Sequence, residues 1–476
     1  MEKKSVQKKY MVLALIFGML FVFLTPPLQS PDEDSHLKKA YVMAEGQFVP
    51  DVLDGHEGFY LPKAISDYIV YMQKMMGDTD RKITYTELVS SEKMPTQYED
   101  EEFIDFSTLK TNVVGHIVPA VGIVIGKIVS ILAGREPSIV FLLYFARMAN
   151  LFMYILVVGV SISITPILKK TFCMLGLMPM ALYIGSSVSY DALLICFAFL
   201  FAALWLRLMF DRKCIFNLRH AVAFGVIGFV FFVLKIVYMP MFILLLFIPR
   251  ERFETTFLKN LKISNKVIWI TFAIIVALGL VGATKIPFLF RDTVESGMDP
   301  LVKKQIMFAV ENPVECLKII LQSIKSERDY YISSMIGIFG LVDTQLFSVF
   351  IYTYLGVFIL TGISDISITK RTIKVYQSIT ILGTILISVL GIFMAMYLLW
   401  TPLMPGYGVG ATSVNGVQGR YFIPLLPLLF LVFSNDSLCK NVHLKKICEL
   451  VLEYSLYFSI AILIISEVTI LLRFWV

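Results

Sequence analysis

Charge is scarce in this chain: Asp, Glu, Lys and Arg together make up 16% of its 476 residues, against about 25% in ordinary soluble domains. Cysteine is scarce too. The six present (Cys173, Cys196, Cys214, Cys316, Cys439, Cys448) show no paired spacing, which argues against a disulfide framework or a metal knuckle and leaves them as packing residues. Several chemical signatures are missing outright. There is no glycine loop ending in Lys-Ser/Thr, no nucleophile elbow and no zinc-binding His pair. An ATP-driven pump or a nucleotide-sugar enzyme therefore has no evident place for its nucleotide, whereas a substrate that arrives through lipid needs none of these motifs.

What the chain has in excess is apolar length. Apolar residues reach 57% and the mean hydropathy is +0.76. Met11 to Leu24, Val267 to Gly282 and Val451 to Leu472 are almost continuously apolar, too long and too unbroken for the alternating strands of a membrane barrel. The expected fold is all-α: a polytopic helical membrane protein, residues 1–476 forming a single membrane domain, with about eleven transmembrane helices and a range of roughly nine to thirteen. The formal charge of +6 reflects Lys and Arg in short loops that orient membrane helices and carries no signal for nucleic acid.

Lys3, Lys4, Lys8 and Lys9 precede the first apolar run, and Thr25-Pro26-Pro27-Leu28-Gln29 follows it without a small-x-small cleavage site. The run reads as a retained first helix that starts in the cytoplasm. The other basic loops, at Lys169-Lys170, Arg212-Lys213 with Arg219, Arg250 to Lys266, Lys370-Arg371-Lys374 and Lys440 to Lys446, then fall on that same side. External connections follow at Gln29 to Thr111, Ser186 to Asp191, Lys235 to Met239, Arg291 to Ser334 and Thr401 to Gly419. This alternation holds only if residues 112–133 form a re-entrant or surface-lying segment; a plain span there would require a miscount elsewhere. Gly115, Pro119, Gly122, Gly126 and Lys127 mark that segment as unusual.

The loop 29–111 is too long for a plain connector. Ser35 to Gly46 reads as a short helix lying along the membrane surface, with Leu37, Tyr41 and Ala44 on one face and Gly46 as its stop. The run Glu99-Asp100-Glu101-Glu102 reads as a solvated patch. A second external loop is expected at 291–334.

With those loops placed, the polar residues near apolar segments gather at the external face. Asp32, Glu33 and His36 follow the first helix; Arg147 and Asp191 begin later ones; Lys235 and Tyr238 end one; Gln418, Arg420 and Tyr421 open another. Three cations and at least two carboxylates at one depth suit an anionic substrate. Arg147 and Lys235 each have a second reading, as side chains that snorkel to lipid headgroups. Arg420 lies between a glycine-rich loop and an apolar helix, where a guanidinium can hold phosphate through paired hydrogen bonds.

Pro31-Asp32-Glu33 with His36, then Glu45-Gly46 and Pro50, resembles the first-loop signature of type C glycosyltransferases, which take sugars from polyprenyl-phosphate carriers. Met178 to Met180, Ser187 to Asp191, Lys235 with Tyr238, and Gln418 to Pro424 extend the likeness to a bacterial family of polytopic membrane proteins without an assigned activity. The resemblance implies a membrane glycosyltransferase at the outer face of the cytoplasmic membrane. Its implied catalytic residues are Asp32, Glu33 and Asp191, with Asp32 as general base or as ligand, together with Asp191, of a divalent metal (Mg or Mn). His36, Arg147, Lys235, Tyr238, Gln418, Arg420 and Tyr421 would bind the substrate, a polyprenyl-phosphate-linked sugar. The paired Asp-x-Asp of the oligosaccharyl branch is missing around Asp191, so the implied acceptor is a cell-envelope glycan or glycolipid. Two rivals remain: a transporter or flippase of a lipid-linked glycan, and a non-catalytic scaffold.

Overall fold

The computed structural model describes residues 2–92, 100–109, 111–253, 299–369, 373–433 and 441–476. The expected run Val267–Gly282, Glu99, Lys370-Arg371, Cys439, Lys440, most of Arg250–Lys266 and the first part of 291–334 lie outside the described residues. Among those described, seven helices are long and apolar enough to cross a membrane, and three shorter apolar ones accompany them (Leu218–Leu234, Ile236–Phe247 and Gly419–Phe433). The protein is an all-α polytopic membrane protein.

Helix α1 (Glu2–Leu24) ends where Pro26 and Pro27 remove backbone donors and bar the α conformation before them. Tyr10, Ala14, Phe17 and Phe21 are buried on one face, while Val12, Ile16, Leu20 and Phe23 are exposed on the other. The spacing of three and four turns one stripe inward and leaves the other for lipid. At the centre of the bundle α6 (Ile139–Ile164), capped by Ser138 through Phe141 N, packs between α1 and α9 (Asp191–Phe210).

The first loop is built rather than slack. Helix α2 (Glu33–Ala44) leads to a three-stranded antiparallel sheet of β1 (Asp51–Leu53), β2 (His56–Pro62) and β3 (Glu101–Ile104). Helix α2 stops at Gly46, which has φ of +82°, as the sequence leads one to expect. Ser35, His36, Leu37, Lys39, Ala40 and Tyr41 are all buried within the protein. Ser35 Oγ bonds Thr108 Oγ1 at 3.1 Å and Lys39 Nζ donates to Leu109 O at 2.8 Å. These buried polar groups are satisfied by the returning end of the loop.

Residues 113–116 form a 3-10 turn that leads into α5 (Ile117–Leu132). Length and composition would let it cross a membrane. Yet it runs against the first half of α6: Gly122 fits against Phe145, Ala146 and Ala149, and Gly126 against Leu142 and Phe145. After a short turn through Arg135 the chain re-enters α6 at Ile139, so His116 lies level with the middle of α6 rather than beyond its far end. A cysteine at exposed Arg135 is thus expected to react with a membrane-impermeant thiol reagent from the same side as one at exposed Asp54. Reaction from opposite sides would make α5 a full crossing.

Past α10 (Leu218–Leu234), the segment Ile236–Phe247 is a 3-10 helix around Pro240, and Gly419–Leu425 is another around Pro424. Both positions read from sequence as ordinary helix ends. Proline inside each segment removes a ladder donor and tightens the turn. The described part of the second loop holds three helices, α11 (Pro300–Glu311), α12 (Pro313–Ser326) and α13 (Arg328–Ile336). Gln305 Oε1, Ser323 Oγ and Ser334 Oγ accept from the backbone of Gly410, Val414 and Gly419, pinning the glycine-rich loop beneath them.

Candidate functional site

Asp32 is the residue just before α2, and its backbone has φ of +60°, a left-handed conformation that costs a non-glycine residue roughly 1–3 kcal/mol. A carboxylate at that position ordinarily caps the helix, but this one makes no capping bond. It reaches out instead to Arg420 Nη2 at 2.7 Å, and its side chain stays 53% exposed. The strained backbone thus turns an acid away from its local partner and toward a distant one.

Its neighbour points the other way. The Glu33 carboxylate meets Arg147 in a paired contact, Nε to Oε1 at 2.8 Å and Nη2 to Oε2 at 2.5 Å, with both side chains fully buried. Arg147 also donates to the carbonyls of Val22, Thr25 and Pro26, and Val188 N donates to Glu33 Oε1. Sequence reasoning placed Glu33 among the catalytic residues and Arg147 among the substrate-binding ones. The structure pairs them with each other, and the pair ties the end of α1 to α2, α6 and the turn before α9. No donor of Arg147 is left for a substrate, because three carbonyls and a carboxylate take them all.

Asp191 opens α9 with two cations on one carboxylate. Lys235 Nζ lies 2.8 Å from Oδ1 and Arg420 Nε 3.1 Å from Oδ2. Asn150 of α6 holds this turn by donating to Ser187 O and Ser189 O. The Lys235 ammonium also sits 3.7 Å from the Tyr421 ring centre, a cation–π contact. Tyr238 OH donates to Tyr421 O at 2.8 Å, and so fixes the strand of chain that carries Arg420.

Arg420 links the group. Its side chain is only 3% exposed, and it touches Asp32 with one nitrogen and Asp191 with another. Among the described residues its Nη1 is buried without a hydrogen-bond partner, and its Nε is held near Asp191 by charge alone, without hydrogen-bond geometry. Gly419 sets its position: a Cβ there would fall 2.0 Å from Tyr331 O, so only glycine lets this turn press against α13. Gln418, half-buried, precedes the turn, and its side chain makes no hydrogen bond among the described residues.

His36 lies behind Asp32, with Nδ1 2.8 Å from His116 Nε2 and its ring edge-on to Tyr190. Burial lowers the His36 pKa despite the Asp32 and Asp191 charges nearby, which makes the ring a neutral partner at pH 7. Sequence reasoning overlooked His116, Tyr190 and Asn150 in this role. His116 carried a usable signal, being an ionisable residue inside an otherwise apolar segment.

Five segments far apart in sequence thus converge: Asp32 with His36, His116, Tyr190 with Asp191, Lys235 with Tyr238, and Arg420 with Tyr421. A family profile described as predicted membrane protein (DUF2142) matches residues 15–429. The chain belongs to that family. Its matched span includes every one of these segments. No curated protein and no solved structure matches the chain.

The metal expectation fares differently. Among the described residues no three His, Cys, Asp or Glu side chains are grouped to hold an ion. Between Asp32 and Asp191, the two proposed ligands, stands the Arg420 guanidinium. Two carboxylates already paired with Arg420 and Lys235 do not fit a divalent ion, which needs several free oxygen donors.

Proposed function

We propose that this protein is a glycosyltransferase at the outer face of the cytoplasmic membrane, its amino terminus in the cytoplasm, transferring a sugar from a polyprenyl-phosphate carrier to a cell-envelope glycan or glycolipid. The observation that carries the reading is the Arg420 bridge: one buried guanidinium shared by a half-exposed acid, Asp32, and a buried one, Asp191.

The two arms of that bridge differ in strength. Asp191 is buried and held by Lys235 as well. Asp32 meets water, where an ion pair contributes little. An incoming phosphate can therefore displace Asp32 from Nη2 and engage the unpartnered Nη1 at the same time, a paired contact that suits a guanidinium. Binding the donor then releases the Asp32 carboxylate as a base.

The acceptor hydroxyl oxygen forms a bond to the anomeric carbon as Asp32 takes its proton. The anomeric C–O bond breaks, and its electron pair stays on the carrier's phosphate oxygen. Arg420, with Lys235 behind it, offsets the charge that grows there while the sugar passes through an oxocarbenium-like state. The products are the glycosylated acceptor and polyprenyl phosphate.

The test is direct. Purified protein in lipid, given a radiolabelled polyprenyl-phosphate sugar and an acceptor, is expected to release polyprenyl phosphate, and Asp32→Asn is expected to lower turnover by about 10²–10⁴-fold with the thermal midpoint unchanged. Full turnover in Asp32→Asn would remove the base. Label that crosses the bilayer still joined to its carrier would favour the transporter reading.

A further inference from the structure

At the opposite end of α1, roughly 22 Å from Leu24 by the rise of the helix from Lys9, lies a second polar feature. A cleft of about 560 Å³ opens there between the start of α1, α7 (Lys169–Gly176) and the helix Val442–Phe474. Three lysines line it: Lys8, Lys9 and Lys170. A smaller cavity of about 120 Å³ shares Lys9 and Lys170 and has Ser455 and Ser459 at its floor.

Among the described residues these ammonium groups lack the partners that lysines at helix ends usually find. Lys169, next in sequence, donates to Ile162 O and Ser163 O and so caps the end of α6. Lys170 does nothing comparable. The nearest buried acid, Asp365, accepts instead from Lys170 N, Thr171 N and Thr171 Oγ1. Among the described residues, none of Lys8, Lys9 and Lys170 has an ion pair within 4.0 Å. One acid, exposed Glu453, stands at the rim. With Asp365 behind Lys170 and Glu453 at the rim, three positive charges face two negative ones, which leaves the concave site net cationic.

Its walls are not polar. Below the lysines the cleft is lined by Val12, Leu13, Leu456 and Ile460. Val12 is 56% exposed, on the face of α1 that meets lipid. Positive charge in loops alone would orient the helices. It would not require lysines separated by about 160 positions to meet over an apolar channel.

We propose that this cleft binds an anionic phospholipid, its phosphate among Lys8, Lys9 and Lys170 and an acyl chain along Val12, Leu13, Leu456 and Ile460. Charge on the headgroup matches the lysines, and the channel below matches a hydrocarbon chain. The site is independent of the transfer reaction and stands whether or not that reading holds.

The experiment uses the full chain purified in neutral detergent. Its thermal midpoint is followed with added phosphatidylglycerol, phosphatidylcholine or inorganic phosphate. Phosphatidylglycerol is expected to raise the midpoint by several degrees, and the other two to leave it within a degree. Lys9→Gln/Lys170→Gln is expected to abolish that rise while keeping its lipid-free midpoint. Lys8→Gln/Lys9→Gln, both on the exposed rim, serves where the first variant fails to fold. Equal shifts with phosphatidylcholine would overturn the role of charge. An equal shift with inorganic phosphate would overturn the acyl channel. A full phosphatidylglycerol shift in the folded variants would overturn the site.

Discussion

Arg420→Lys is expected to lower sugar transfer by roughly 10²–10³-fold, the range seen when one preorganised charge contact to a transition state is lost. Lysine keeps the charge, yet it cannot do what the guanidinium does here. Arg420 reaches Asp32 through Nη2 and Asp191 through Nε, and presents Nη1 with no partner. A single ammonium is a compact point charge and cannot span both acids while offering a paired face to phosphate. Arg420→Ala is expected to be no better in rate and worse in stability, because Asp191 would keep Lys235 alone. Single-turnover kinetics beside a thermal melt separate the two effects. Near-normal turnover in Arg420→Lys would mean that the guanidinium geometry has no part in the reaction.

Arg147→Met is expected to destabilise the protein by about 3–5 kcal/mol, the cost of leaving one half of a buried ion pair without the other. The pair is fully buried, so solvent offers no relief. Glu33→Gln/Arg147→Met is expected to recover part of that loss, since no lone charge remains. Recovery stays incomplete: Arg147 also serves the carbonyls of Val22, Thr25 and Pro26, and Glu33 serves Val188 N. Denaturant unfolding of the two variants in detergent reads both numbers. A loss under about 1 kcal/mol in the single variant would show the pair to be a bystander.

These two arginines show where sequence reasoning succeeds and where it fails. Arg147 and Arg420 look alike in the sequence, each beside an apolar run and each at the same depth. One is saturated by a carboxylate 114 positions away and the other joins Asp32 across 388 positions. The glycine-rich loop before Arg420 set it apart in the sequence, but nothing local named the partner of either. Asp32 and Glu33 divide in the same way, since adjacent residues at a helix start point to different sides. The convergence of Asp32, Asp191, Lys235 and Arg420 was legible, because each sits at an apolar boundary and the loops fix which boundaries share a face. The sheet in the first loop was not legible. Its strands are short and two of them lack a buried face, so they carry no clear alternation. The 3-10 segments at Pro240 and Pro424 were marked by their prolines, but a proline says that a helix must change and not how.

The amino-acid sequence by itself determined the class of molecule, the positions of its long apolar helices and the polar residues gathered at their ends. Those follow from transfer free energies summed over neighbouring residues, which need no knowledge of the fold. Tertiary structure alone decided which acid meets which base, which arginine is left with an unpartnered donor and why Gly419 must be glycine. Those depend on distances of a few ångströms between residues hundreds of positions apart, and electrostatic and steric energies at that range are set by packing rather than by order along the chain.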